Sequence, residues 1–120
     1  MTNMRNKREI GDTGELIAVK YLESHGYIII ARNYYSRYGE IDIIATKGEY
    51  IVFVEVKYRK NNAYGEPSSF VDFRKQEKLK KTVLQYISEN GAGDKDLRFD
   101  IIEVTGTGEV KINHIENAFC

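Results

Sequence analysis

The fold of this chain is decided by two apolar runs, IDIIA at residues 41–45 and IVFVEVK at residues 51–57. Runs this apolar are typical of strands that are buried on both faces of a sheet. Each run nevertheless contains an acid, Asp42 in the first and Glu55 in the second, and Lys57 follows Glu55 by two residues. Because a lone charge in a buried strand costs several kcal/mol, these three residues need a chemical role.

The segment between the runs has the composition of a turn, Lys-Gly-Glu-Tyr at residues 47–50, and predicts an antiparallel hairpin. A two-residue loop would place Asp42 opposite Phe53 and diagonal to Glu55, whereas a four-residue loop would place Asp42 opposite Glu55. Residues that are opposed across a hairpin share one face of the sheet, so both registers bring Asp42, Glu55 and Lys57 together.

Two carboxylates at that range repel each other unless a cation or a proton lies between them. Oxygen ligands with no His or Cys nearby favour magnesium or manganese over zinc. The sequence therefore predicts a Mg²⁺ or Mn²⁺ site at Asp42 and Glu55, a chemistry suited to phosphodiester cleavage. The alternative is a hairpin with one solvated face, on which acids and lysines are ordinary. Five apolar neighbours leave little of either face polar and argue against that alternative: Ile41, Ile43, Ile44, Val52 and Phe53.

The spacing of these residues resembles a known signature. Asp42, twelve intervening residues and then Glu55-Val56-Lys57 are similar to the PD-(D/E)xK motif of the restriction-endonuclease-like nucleases. Glu-x-Lys alone is a weak signal, but Gly14-Glu15 at the start of a helix and GEIDII at residues 39–44 extend the match. In this order and at these spacings the chain resembles the archaeal Holliday-junction resolvases. Ile41 stands where the motif has proline, a position that carries no chemistry.

A closer resemblance covers nearly the whole chain, from about Arg8 to Phe119. The early Gly-Asp-Thr-Gly-Glu at residues 11–15 and the late Arg-Phe-Asp-Ile-Ile at residues 98–102 resemble the small YraN-like family of uncharacterised bacterial proteins. That family has no settled function. The resemblance therefore implies a fold and a site more directly than a substrate.

The resemblances imply an α/β fold of the restriction-endonuclease-like type, with αβββαββ order and a central mixed sheet flanked by helices. They also imply roles around a divalent ion: Asp42 and Glu55 as ligands with the Val56 carbonyl, Glu15 as a further ligand, Lys57 as the group that orients water or neutralises charge, and Gln76 as a polar helper. For Glu15 the alternative is stabilisation of a helix N-terminus, since it falls in the first predicted turn.

The pattern along the chain predicts the same element order independently. Helices are expected over about residues 12–25 and 69–90, and strands over 27–32, the two runs above, 97–104 and 110–115. Asp12 or Thr13 is the expected cap of the first helix. Asp100 interrupts a third apolar run but has no predicted partner, and neither His25 nor His114 has the spacing of a ligand pair.

Composition predicts one cytoplasmic domain over residues 1–120, with residues 1–10 as a flexible basic arm. The chain is 42% hydrophobic and 30% charged, which are ordinary globular values, and its net charge is zero. Zero net charge argues against a protein that coats DNA without specificity. No stretch approaches the ~20 apolar residues of a membrane span, so no membrane association is expected.

Basic residues are clustered despite the zero net charge, and the clusters are Lys57, Arg59 and Lys60, and Arg74, Lys75, Lys78, Lys80 and Lys81. A solvated helix face explains the second cluster equally well. The functional interpretation is that these residues surround the metal site and hold DNA phosphates, including branched or single-stranded regions. The resolvase resemblance also implies a homodimer, and the small surface of the chain predicts at most a weak one without ligand.

Three hypotheses remain from the sequence. The first is a metal-dependent endonuclease that hydrolyses DNA, with branched or junction DNA as the implied substrate. The second is a nucleic-acid-binding module that has the nuclease fold without significant turnover. The third is a partner-binding scaffold, in which Asp42, Glu55 and Lys57 form a structural ion-pair network.

Overall fold

The computed structural model describes residues 7–59, 72–106 and 109–118. Seven elements follow one another in the predicted αβββαββ order, which is confirmed. They are α1 (Lys7–Ser24), β1 (Ile28–Ser36), β2 (Gly39–Lys47), β3 (Tyr50–Arg59), α2 (Phe73–Asn90), β4 (Asp96–Thr105) and β5 (Lys111–Ile115).

The five strands form one mixed sheet in the order β1-β2-β3-β4-β5. Neighbouring strands are antiparallel except β3 and β4, which run parallel in register from Tyr50–Asp96 to Arg59–Thr105. Parallel neighbours need a long crossover, and α2 lies within the connection from β3 to β4. The predicted α/β class with a central mixed sheet is confirmed.

The helices cover opposite faces of the sheet, because successive residues of a buried strand alternate between two cores. Val54 belongs to the cluster that packs on α1 through Ala18 and Leu22. Its neighbour Phe53 belongs to the cluster that packs on α2 through Leu79. The near-continuous apolar runs of the sequence are explained by this burial on both faces.

The β2–β3 hairpin has a two-residue loop, Gly48 and Glu49, since Lys47 pairs with Tyr50. Gly48 has a φ of 56°, a left-handed conformation that glycine adopts at little cost in such loops. Carried along the strands, this register sets Asp42 opposite Glu55. The prediction that a two-residue loop would pair Asp42 with Phe53 was wrong, because the turn is centred one residue further along the chain.

Several element boundaries differ from the prediction. α1 begins at Lys7, so the expected cap at Asp12 or Thr13 was wrong, and residues 7–10 of the predicted basic arm are helical. Residues 1–6 lie outside the described part, as does Lys60. α2 begins at Phe73, and the side chain of Asp72 caps it by accepting the Lys75 backbone N–H at 2.9 Å. No helix within the described residues has the length and apolar character that crossing a bilayer requires.

Asp100 has the partners that the sequence did not predict. Its carboxylate, fully buried in β4, accepts two hydrogen bonds from Arg98 at 3.0 and 2.9 Å and lies 2.7 Å from Nε2 of His114. Burial alone would raise the pKa of Asp100, but the contacts with His114 and Arg98 lower it below its usual value. The backbone N–H of Asn117 also donates to it at 3.0 Å. The network ties β4 to β5 and to the following segment, so its role is structural.

Candidate active site

Asp42 lies where β2 separates from β3. The pairing of the two strands ends at Ile43–Val54, and beyond that pair the backbone N–H of Val56 donates to Oδ2 of Asp42 at 2.8 Å. Ile41 and Ile43 pack in opposite core clusters, although residues two apart in a regular strand share a face. The alternation of side chains along β2 therefore shifts from one face of the sheet to the other at Asp42. Side chains from both faces can approach the Asp42 carboxylate.

The environment of Asp42 disfavours its charged form. The pKa of the carboxyl rises from 3.8 to about 7, chiefly because the group is buried. The hydrogen bond from Val56 opposes this rise, while the negative charges of Glu55, Glu15 and Glu40 add to it. Three other carboxylates thus act on Asp42 at this point of the fold, and a proton or a cation at Asp42 relieves the repulsion.

Glu55 lies on the face of β3 that α2 covers, since its neighbour Val54 faces α1. Its side chain is 10% exposed, and Oε2 lies 2.5 Å from Nζ of Lys75 in the first turn of α2. The cation that contacts Glu55 is therefore Lys75 and not Lys57, the residue to which the scaffold hypothesis assigned this role. A short contact between a buried carboxylate and an ammonium is a charge-assisted hydrogen bond, the stronger kind.

Glu15 approaches from α1, on the other side of the sheet. It is the ninth residue of that helix and not part of its first turn, so stabilisation of the helix N-terminus does not explain it. Oε1 lies 3.3 Å from Nη2 of Arg32 on β1. The side-chain amide of Asn33 is oriented with its nitrogen toward the acids. That nitrogen lies 3.2 and 3.1 Å from Oε1 and Oε2 of Glu15 and 3.0 Å from Oε2 of Glu40.

Close packing of α1 on β3 sets the position of Glu15. A Cβ atom at Gly14 would lie 3.0 Å from Cβ of Tyr58, closer than side chains ordinarily approach. Glycine therefore allows α1 to rest directly on β3 at the residue before Glu15. Asn33 contributes a second special conformation, with a φ of 54° that asparagine tolerates better than most residues.

The remaining predicted site residues are Val56 and Lys57 on β3 and Gln76 on α2. Lys57 follows Glu55 by two residues on β3 and therefore projects on the same face; it makes no hydrogen bond or ion pair with residues in the described ranges. Gln76 follows Lys75 in the first turn of α2. Val56 contributes its N–H to Asp42, while a role for its carbonyl as a ligand stays a prediction.

The donor set suits a hard divalent cation, because Asp42, Glu55, Glu15 and Glu40 offer only oxygen. Within the described ranges no three acidic, His or Cys side chains lie close enough together to hold a metal ion by themselves. Mg²⁺ does not require such a cage, since it keeps several waters and commonly binds one or two carboxylates together with substrate phosphate. The oxygen donors of Asp42 and Glu55 therefore suit a hard divalent cation that keeps several of its waters.

A strip of exposed cations leads away from the acids, and we call Lys75, Lys78, Lys81 and Arg37 the basic strip. The three lysines follow one another at three-residue intervals along α2. Nζ of Lys81 lies 5.4 Å from the ring centre of Tyr38, in the β1–β2 turn, and Cζ of Arg37 lies 5.0 Å from it. Lys80 is not part of the strip, because it pairs with Glu77 and lines a cleft between α2 and β4.

Comparison with known sequences now identifies the family. The profile of the uncharacterised protein family UPF0102 matches residues 14–104, a range that contains Glu15, Asp42, Glu55 and Lys57. This chain belongs to UPF0102. The resemblance to the YraN-like family is thereby confirmed.

Curated UPF0102 proteins match almost end to end. One from Alkaliphilus oremlandii is 49% identical over 115 residues, which cover 93% of this chain and 98% of the relative. A second from Alkaliphilus metalliredigens is 46% identical, with 93% and 98% covered. A third, from Clostridioides difficile, is 46% identical, with 95% and 99% covered.

Among solved structures, a repair endonuclease from Pyrococcus abyssi aligns with a TM-score of 0.47 at 17% sequence identity. The alignment covers 90% of this chain but only 42% of that endonuclease. The fold assigned above rests on the observed element order and strand pairing.

Sequence reasoning missed three groups at this site: Lys75, Arg32 and Asn33. Lys75 was visible only as one member of a basic cluster, and nothing in its spacing singled it out as the partner of Glu55. Arg32 is the last residue of the predicted strand, and Asn33 lies in the four residues by which β1 extends beyond it to Ser36. Both meet Glu15 only because α1 packs beside β1.

Proposed function

We propose that this chain is a divalent-metal-dependent endonuclease that hydrolyses phosphodiester bonds in DNA. The single observation that carries the proposal is the placement of Asp42. Its carboxyl is partly buried beside Glu55 where two strands diverge, and its pKa is raised to about 7 in part by surrounding carboxylates. A structural role gives no reason to gather these acids, whereas the binding of a divalent cation does.

In the proposed enzyme Asp42 and Glu55 hold the ion, with the Val56 carbonyl and Glu15 as further ligands, direct or through water. A bound divalent ion supplies Lewis-acid activation of water and neutralises charge at the scissile phosphate. Lys57, on the same face of β3 as Glu55, orients the attacking water or stabilises the charge that develops on the phosphate. Gln76 contributes a polar contact from α2.

The basic strip supports DNA as the substrate. Lys75 contacts Glu55, Lys78 and Lys81 follow it along α2, and Lys81 and Arg37 both lie over the ring of Tyr38. A phosphate backbone held by these cations would pass the acids. Three finer predictions belong to the same proposal: branched or junction DNA as the preferred substrate, a homodimer that is at most weak without ligand, and a cytoplasmic location for a single domain of residues 1–120.

The proposal predicts that Mn²⁺ stabilises the protein. An ion that binds only the folded state adds RT ln(1 + [L]/Kd) to the free energy of unfolding, about 2.7 kcal/mol at a hundredfold excess over Kd. Urea denaturation at pH 8, with and without Mn²⁺, measures this gain. We expect Asp42→Asn and Glu55→Gln to lose it.

Asp94→Asn provides the matched control, since Asp94 is an exposed carboxylate in the α2–β4 connection. That variant should keep the full gain from Mn²⁺. If Asp42→Asn and Glu55→Gln were stabilised as much as the wild-type protein, the two acids would not be the ligands and the proposal would fail.

The nucleic-acid-binding module is the second candidate, favoured by the basic strip alone. It predicts DNA binding that does not depend on metal and no cleavage of any substrate. A nicking assay with Mn²⁺ on duplex, single-stranded and four-way junction DNA separates the two functions. Metal-dependent products that disappear in Asp42→Asn favour the endonuclease.

A further inference from the structure

We propose that Lys75 is an exchangeable counterion that occupies Glu55 until a divalent ion displaces it. The inference rests on the proposed function, because it concerns the cation that Asp42 and Glu55 would hold. It assigns to α2 a part in metal binding, through a residue outside the strand motif.

The contact itself is the first reason. Nζ of Lys75 lies 2.5 Å from Oε2 of Glu55, which is the shortest hydrogen bond between side chains in the described ranges. The carboxylate is 10% exposed, whereas the lysine side chain is 48% exposed. The acid is thus fixed in the fold while its partner reaches in from the surface, so Lys75 is the member of the pair that is able to move into solvent.

The second reason is that only some of the acids have a cationic partner. Glu55 has Lys75 and Glu15 has Arg32 as a cationic partner, but Asp42 receives only the N–H of Val56 among the contacts of the described chain. A divalent ion bound to Asp42 and Glu55 would compete with Lys75 for the same carboxylate. Because a cation near Glu55 repels the ion, the affinity for metal depends on the release of this lysine.

Release of the Lys75 ammonium from Glu55 leaves the structure of α2 unchanged. The N-cap hydrogen bond of α2 is donated by the backbone N–H of Lys75, so it does not depend on the side chain at this position. Lysine also carries a flexible four-carbon stem, so its ammonium can leave Glu55 without movement of the backbone. Once released, the ammonium joins Lys78 and Lys81 on the basic strip.

The test is a calorimetric titration with Mn²⁺ in the absence of DNA, on the wild-type protein, Lys75→Met, Lys75→Arg and Lys80→Met. Methionine keeps the length and helix propensity of lysine but removes the competing charge. We expect Lys75→Met to bind Mn²⁺ about three- to fivefold more tightly, which corresponds to the loss of a partly exposed ion pair. Lys75→Arg should bind no more tightly than the wild type.

Lys80→Met is the control for net charge, since Lys80 pairs with Glu77 on the same helix at 3.4 Å and does not contact the acids. Its affinity for Mn²⁺ should stay within about twofold of the wild type. Equal or weaker binding by Lys75→Met would overturn the inference.

A second measurement needs no variant. Amine acetylation followed by mass spectrometry should modify Lys75 faster when Mn²⁺ is saturating, because its side-chain nitrogen then lies in solvent and no longer against Glu55. Lys80 in the same sample should react at an unchanged rate. Unchanged labelling of Lys75 in the metal-bound protein would show that it is not displaced.

The two proposals fail differently. If Mn²⁺ binds the wild-type protein through Asp42 but neither the Lys75 variants nor the labelling responds, only the counterion inference is overturned. If neither the wild type nor Lys75→Met binds Mn²⁺ while both remain folded, the metal-dependent function is overturned together with the inference.

Discussion

Asp42→Asn should make the metal-free protein more stable than the wild type at pH 8 and nearly equal to it at pH 4. The reason is the raised pKa of Asp42, about 7 in the folded state against 3.8 for an unperturbed group. Between these values the folded state binds more protons than the unfolded state. The free energy of unfolding therefore falls as pH rises through 7, and the penalty is complete above that value.

The size of this effect is up to about 4 kcal/mol, since each pKa unit corresponds to about 1.4 kcal/mol. Asparagine has no charge to bury and can still accept the hydrogen bond from Val56, so the variant should lose the pH dependence but keep the fold. Urea denaturation at pH 4, 6 and 8 measures the difference, with Asp94→Asn as an exposed control. A variant that is less stable than the wild type at pH 8 would show that the charge of Asp42 is compensated within the fold.

The second large effect separates binding from chemistry. Lys57→Ala should bind DNA with nearly wild-type affinity but cleave it roughly 10²-fold more slowly, the scale of losing one preorganised electrostatic group. The lysine projects on the face of β3 that carries Glu55 and makes no ion pair within the described ranges, so its removal leaves the contacts of the acids in place.

The double variant Lys78→Ala, Lys81→Ala should instead weaken the binding of DNA. Both lysines belong to the basic strip, and each lost phosphate contact lowers the salt dependence of binding by about one unit of slope. Gel-shift titrations at several salt concentrations, paired with Mn²⁺-dependent nicking, measure both properties. Lys80→Ala, which lies off the strip, should change neither. Wild-type cleavage by Lys57→Ala on every substrate would leave the strand motif with a structural role and favour the binding module.

Local patterns predicted the parts of the fold that local physics determines. The two apolar runs specify buried strands because few other structures bury so many β-branched residues in succession. The hairpin between them follows from its turn residues. The start of α1 was not predictable in the same way, since glycine at positions 11 and 14 weakens the helical pattern, and packing against β3 compensates for it.

The same distinction between local pattern and tertiary packing applies to the candidate site. Asp42, Glu55 and Lys57 could be predicted because charges in a buried strand are conspicuous. Lys75 could not, because its contact with Glu55 joins residues that are 20 positions apart and depends on where α2 docks. The Asp100 network is similar, since Asp100 and His114 are 14 positions apart and meet only through the pairing of β4 with β5.

The most direct test of the central claim is a crystal structure of the protein grown with Mn²⁺ and measured at a wavelength that reveals manganese. We expect an anomalous peak at coordination distance from carboxylate oxygens of both Asp42 and Glu55, with Nζ of Lys75 withdrawn from Glu55. Manganese bound elsewhere, with Lys75 still on Glu55 and no peak at Asp42, would contradict the account.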